Sequence, residues 1–104
     1  MNTISVEELE KVEPSKITIV DVRPADQYSR GSFPGAVNIP LDEFDEKMEA
    51  VDKDKTVYVL CHTGDRSRDC VEKLSEAGYE AVNIEGGYRA YLRLSLSRFM
   101  ENDA

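Results

Sequence analysis

Thr56-Val57-Tyr58-Val59-Leu60-Cys61-His62-Thr63-Gly64-Asp65-Arg66-Ser67-Arg68-Asp69-Cys70-Val71-Glu72-Lys73-Leu74-Ser75-Glu76-Ala77-Gly78 joins an apolar run, a short polar loop and an amphipathic run in one stretch. The apolar residues up to Leu60 are β-branched or aromatic, as in a buried strand. The segment from Cys70 to Ala77 has helical spacing, and Gly78 is suited to end it. Cys61 therefore falls between a strand and the start of a helix, where backbone N–H groups and the helix dipole converge. Such a position favours an anion on sulfur, which makes Cys61 the candidate nucleophile. Gly64 can take positive φ and curl the loop around the sulfur, so that successive N–H groups form an anion-binding nest. Arg66 and Ser67 add donors at the helix start.

Outward from this stretch, strand and helix signals alternate. Thr3-Ile4 reads as a short strand. Ser5 with Glu8 forms a capping-box pattern ahead of Leu9 and Val12, which predicts a short helix closed by Pro14. Ile17-Thr18-Ile19-Val20 reads as a strand buried on both faces and runs into Asp21-Val22-Arg23-Pro24. Ala25 to Arg30 predicts one or two helical turns stopped by Gly31, and Ala36-Val37-Asn38-Ile39 another strand. Leu41, Phe44 and Met48 recur at helical spacing among acidic residues, the pattern of a surface helix. Glu80 to Ile84 reads as a strand, Gly86-Gly87 as a loop, Tyr88 to Phe99 as a last helix, and Glu101 to Ala104 as a frayed tail. This alternation predicts one α/β domain spanning 1–104, with a parallel sheet covered on both faces. Asp21, Arg23, Cys61 and the glycine pair all follow predicted strands, so they should meet at one rim of the sheet.

Composition narrows the function. The chain has 104 residues, 40% apolar and 33% charged, which suits a folded globular domain. A formal net charge of −8 argues against nucleic acid or an anionic membrane as partner. No apolar run reaches the roughly 20 residues of a membrane span. Met1 to Glu10 lacks a signal-peptide layout, so a reducing cytoplasm is expected and a structural disulfide between Cys61 and Cys70 is not. Cys70, on the core side of its helix, reads as a packed thiol. A zinc site from Cys61, His62 and Cys70 would lack a fourth ligand. The reading calls for no metal and no cofactor.

Cys61-x-x-Gly64-x-Arg66-Ser67 resembles the active-site loop of the rhodanese family of sulfurtransferases. Asp21-Val22-Arg23, the segment Gly31-Ser32-Phe33-Pro34-Gly35-Ala36-Val37-Asn38-Ile39-Pro40, and Gly86-Gly87-Tyr88 are similar to that family, in its order. The resemblance implies a central, mostly parallel five-stranded sheet with helices on both faces. It also implies a Cys61 persulfide that carries sulfane sulfur from thiosulfate or a persulfide donor to cyanide, a thiol or a protein. A cysteine desulfurase or a thioredoxin-like protein would be partners of that kind. The loop residues His62, Thr63, Gly64, Asp65, Arg66 and Ser67 would then bind substrate, with Asp21 and Arg23 accessory. Two departures stand out: Ser32 occupies a position where the family commonly has His, and Tyr88 and Tyr91 stand where an aromatic, often Trp, follows the double glycine. Cysteine phosphatases and arsenate reductases also attack with a loop thiolate. Their Cys-x5-Arg spacing, however, differs from the four residues between Cys61 and Arg66. Non-catalytic modules of the rhodanese family usually lack the cysteine that this chain retains. Asp65 is the discordant residue, since a carboxylate in the loop should oppose an anion.

Overall fold

The run Thr56–Leu60 is the middle strand of a five-stranded sheet. The computed structural model describes residues 2–102. In chain order the elements are β1 (Thr3–Ile4), α1 (Val6–Leu9), β2 (Ile17–Asp21), α2 (Ala25–Ser29), β3 (Val37–Asn38), α3 (Phe44–Lys47), β4 (Thr56–Leu60), α4 (Ser67–Glu76), β5 (Ala81–Ile84) and α5 (Gly87–Asn102). The sheet order is β1-β5-β4-β2-β3, and every pairing is parallel.

Alternation along β4 explains the layers. Val57 and Val59 point into one core with Phe44, Val71 and Leu74 of α3 and α4. Tyr58 and Leu60 point into the other, shared with α1 and, through Tyr91 and Leu94, with α5. Val57, Val59 and Leu60 are fully buried. Each contributes about 1.5–3 kcal/mol of apolar burial. Because both faces of β4 are covered, its sequence is continuously apolar with no polar alternation. The chain leaves β2 toward β3 and leaves β4 toward β5, in opposite directions across the sheet. The crevice between the ends of β2 and β4 is thus a topological switch point, where α/β sheets hold their ligands.

Some boundaries differ from the sequence reading. Ser5 caps α1, its Oγ accepting from the Glu8 amide at 3.1 Å, but the α-helix ends at Leu9. Pro14 instead opens a separate 3₁₀ turn over Pro14–Lys16. The surface helix expected from Leu41 to Met48 is broken, with α3 flanked by 3₁₀ turns at Leu41–Glu43 and Met48–Ala50. The cause is tertiary: the buried Tyr79 hydroxyl donates to the carbonyls of Met48 and Val51 at 3.0 and 2.9 Å, which bends this end inward. Gly87 belongs to α5 and not to a loop, and α5 is helical through Glu101 and Asn102, where a frayed tail was expected. Residues 103 and 104 of that tail lie outside the described residues. Leu92 and Phe99, read as part of the helical apolar pattern, are exposed.

Candidate active site

The sheet delivers Cys61 to the switch point, and two helix starts then fix it. The Val22 amide, past the end of β2, donates to the Leu60 carbonyl at 2.8 Å and extends the β2–β4 ladder to the loop. From the other side, the Tyr88 amide donates to the Cys61 carbonyl at 2.8 Å, and the Arg89 amide to the His62 carbonyl at 3.0 Å. The first turn of α5 thus spends two otherwise unpartnered N–H groups on this loop. Gly87 makes that approach possible, because a Cβ there would lie 2.3 Å from the Cys61 carbonyl oxygen. Gly64 has φ +94°, a conformation that glycine adopts without steric cost. A Cβ at Gly64 would also press against the backbone at Gly86 and Ile84, at 3.0 and 3.3 Å.

That turn brings the Gly64 amide 2.9 Å from Cys61 Sγ, as donor. The sulfur also lies 3.3 Å from Ser67 Oγ. Ser67 is fully buried and bonds to Asn83 Oδ1, while Asn83 Nδ2 donates to the Gly64 carbonyl at 3.1 Å. Arg66 stands at the N-cap of α4 and gives no side-chain cap, and the Arg68 amide in the first turn donates to the Asp65 carbonyl at 3.4 Å, so the positive end of that helix lies beside the loop without a capping side chain.

His62, Thr63, Asp65 and Arg66 are exposed and, with Cys61, line a cleft of about 860 Å³. Val22, Pro24, Pro40 and Leu41 supply an apolar wall, and Arg30 and Asp42 also line the cleft. Gly64 and Ser67 are buried behind the sulfur. Asp65 accepts a bond from the Thr63 hydroxyl at 3.3 Å. Among the described residues Arg66 forms no ion pair with Asp65 or Asp69, and Asp65 none with Arg68. Sequence reasoning missed Asn83 and Arg30. The signal for Asn83 was available: a polar residue inside the apolar run Ala81-Val82-Asn83-Ile84 must bond to something when buried. Arg30 had none.

Asp21 and Arg23 brace the rim, and Arg23 also lines the cleft. Asp21 is fully buried and Arg23 is 5% exposed. Arg23 donates through Nε and Nη2 to the Asp21 carboxylate at 3.0 and 2.7 Å, and through Nη2 to the Gly31 carbonyl at 2.6 Å. Its guanidinium also lies over the Tyr88 ring, 4.1 Å from the centroid. Ser32 donates to the same carboxylate at 2.7 Å, so its hydroxyl serves the ion pair.

The chain matches the family described as "Rhodanese-like domain" over residues 5–94. It belongs to the rhodanese family. A putative sulfurtransferase, YtwF of Bacillus subtilis, is 39% identical over 83 residues, covering 79% of this chain and 81% of that protein. The thiosulfate sulfurtransferase PspE of Escherichia coli is 42% identical over 72 residues, covering 67% of this chain and 69% of PspE. The crystal structure of a rhodanese-like domain protein from Staphylococcus aureus superposes with a TM-score of 0.79 at 35% identity, covering 88% of this chain and 91% of that one. Sulfur transfer is thus the general chemistry to which this rhodanese domain's likeness points, and the parallel five-stranded α/β fold is the family's.

The second thiol of this rhodanese domain sits in a different environment. Cys70 is buried in the core, and burial pushes its pKa up to about 11, with Asp69, Cys61 and Asp45 adding to the shift and Lys73 opposing it. Above the ordinary thiol range the unfolded chain has lost this proton while the native chain retains it, so stability falls as pH rises. The loss should run from about pH 9 to about 11. It should reach roughly 2–3 kcal/mol at the upper end. Urea unfolding across that range should show a steeper alkaline decline in the parent than in Cys70→Ala. Equal slopes would show that Cys70 does not hold its proton in the fold.

Proposed function

We propose that this rhodanese domain transfers sulfane sulfur through a persulfide on Cys61, taking it from thiosulfate or a persulfide donor and passing it to cyanide, a thiol or a protein. The supporting observation is the sulfur itself, which sits at the cleft floor with the Gly64 amide 2.9 Å away and the uncapped start of α4 alongside. Amides so placed stabilise the negative charge that the attacking and departing sulfur carries. In the first half-reaction the Cys61 thiolate attacks the outer sulfur of thiosulfate. The S–S bond of the donor breaks, and sulfite leaves with its electron pair. In the second, the acceptor attacks the outer sulfur of Cys61–S–S⁻, and the Cys61 thiolate leaves. Cyanide then departs as thiocyanate, and a thiol as its persulfide. No metal or cofactor takes part.

His62, Thr63, Asp65 and Arg66 meet the substrate, while Gly64 and Ser67 support the sulfur and Asp21 with Arg23 holds the rim. The surface charge imposes a requirement on this reaction. Thiosulfate carries two negative charges and approaches a protein whose formal net charge is −8. Arg66, exposed in the cleft and unpaired among the described residues, offsets that repulsion locally. Arg66→Ala should lower kcat/KM for thiosulfate about tenfold, more at low ionic strength than at high. Transfer from an uncharged organic trisulfide should be nearly unaffected. An equal loss with both donors would assign Arg66 to loop shape, and no loss with either would leave substrate binding to the backbone alone. The cysteine desulfurase or thioredoxin-like protein implied by the family would use the same cleft, and the cytoplasm would supply its reducing conditions.

A further inference from the structure

The Gly64 carbonyl can only accept, so the group of Asn83 that faces it must be the amide NH₂, at 3.1 Å. This fixes the other end of the side chain, and Oδ1 faces Ser67. An amide oxygen can only accept, so the Ser67 hydroxyl donates its single proton to Asn83. Cys61 Sγ, 3.3 Å from Ser67 Oγ, therefore meets a lone pair and not a proton. The arrangement is complete when Cys61 is a thiol, with S–H donating to Ser67, Ser67 to Asn83 and Asn83 to Gly64. All four groups are buried, so none of these bonds is exchanged cheaply for water.

We propose that Asn83 is a positioning residue that makes Ser67 a hydrogen-bond acceptor toward Cys61, and so disfavours the thiolate relative to a hydroxyl free to donate to it. When Cys61 ionises, its proton leaves to water in the cleft. Ser67 then either turns its lone pair on the thiolate or gives up Asn83 to donate to sulfur. Both cost free energy, so the pair is a brake on the anion that the Gly64 amide and α4 favour. The inference deepens the persulfide reading and rests on it for its purpose, since only a thiolate attacks a sulfur donor. A brake on the thiolate also slows oxidation between turnovers.

The other ionisable groups near the sulfur form a constant background. On the loop these are His62, Asp65 and Arg66, and across the cleft Arg30, Asp42 and the Asp21–Arg23 pair. Cys70 faces it from α4, and Tyr88 and Arg89 open α5. None is changed by the substitutions below.

The test is the pH profile of iodoacetamide alkylation at Cys61, followed by mass with the buried Cys70 as the slow internal reference. In Ser67→Ala the thiol loses its acceptor, and the midpoint should fall by about half to one pH unit, a three- to tenfold faster reaction at fixed pH below it. Were Ser67 a donor to the thiolate, the midpoint would rise. A rise, or no shift, overturns the proposal. Asn83→Leu frees the Ser67 proton and should lower the midpoint by a similar amount, but only while Ser67 is present. The same shift in a Ser67→Ala background would show that Asn83 does not act through Ser67. Should Asn83→Leu not fold, Asn83→Val tests the same point with a side chain that suits a strand. Ser67→Thr keeps the hydroxyl and should keep the parental midpoint. Alkylation needs no sulfur donor, so the outcome is separable from whether a persulfide forms.

Discussion

Cys61→Ser is expected to lose sulfur transfer by roughly 10³-fold or more with every donor, because a hydroxyl is a poor nucleophile at neutral pH and cannot carry a persulfide. The fold should survive. The substitution exchanges sulfur for oxygen at a position 4% exposed, where the Gly64 amide can still donate and Ser67 can still bond. Thiosulfate:cyanide turnover together with thermal unfolding measures both halves. Substantial activity in a folded Cys61→Ser would remove the nucleophile from the account. Loss of activity together with loss of the fold would make the position structural.

The second large effect concerns stability. Asp21→Ala leaves the Arg23 guanidinium buried at the rim with the Gly31 carbonyl and the Tyr88 ring as its remaining partners. Removing one member of a buried pair typically costs about 3–5 kcal/mol. The same change strips the acceptor from Ser32 and from the Arg23 amide, which donates to Asp21 Oδ1 at 2.9 Å. Denaturant unfolding should show a loss at the upper end of that range. Asp21→Ala with Arg23→Met should recover part of it, since the orphaned charge is then gone. If the single and double variants are equally unstable, the damage lies in the lost backbone and Ser32 contacts and not in the stranded charge. Either way the rim that carries Tyr88 loosens, so sulfur transfer should fall in parallel.

The layered fold was legible wherever local pattern and burial agree. The β-branched runs at Ile17 and Thr56 could be nothing but buried strands, and Gly78 closes its helix as read, with φ +93°. Boundaries failed where a distant residue decides them. Nothing near Met48 announces that the Tyr79 hydroxyl will take its carbonyl and that of Val51. The glycine pair looked like a loop because glycine is a poor helix former, yet Gly87 opens α5 at φ +58° so that the helix can approach the Cys61 carbonyl. At the site the contiguous loop was readable, and its supports were not. Asn83 lies 16 residues from Ser67 and meets it only because β5 pairs with β4. Asp65, which opposed an anion on paper, is turned to the exposed Thr63 hydroxyl and leaves the Gly64 amide to face the sulfur.

Intact-protein mass after incubation with thiosulfate reads persulfide formation on Cys61 without any acceptor. One added sulfur atom per chain is expected, removed by cyanide, located on the Cys61 peptide and absent in Cys61→Ser. An unchanged mass with both thiosulfate and a small-molecule persulfide, or an adduct that persists in Cys61→Ser, would contradict it.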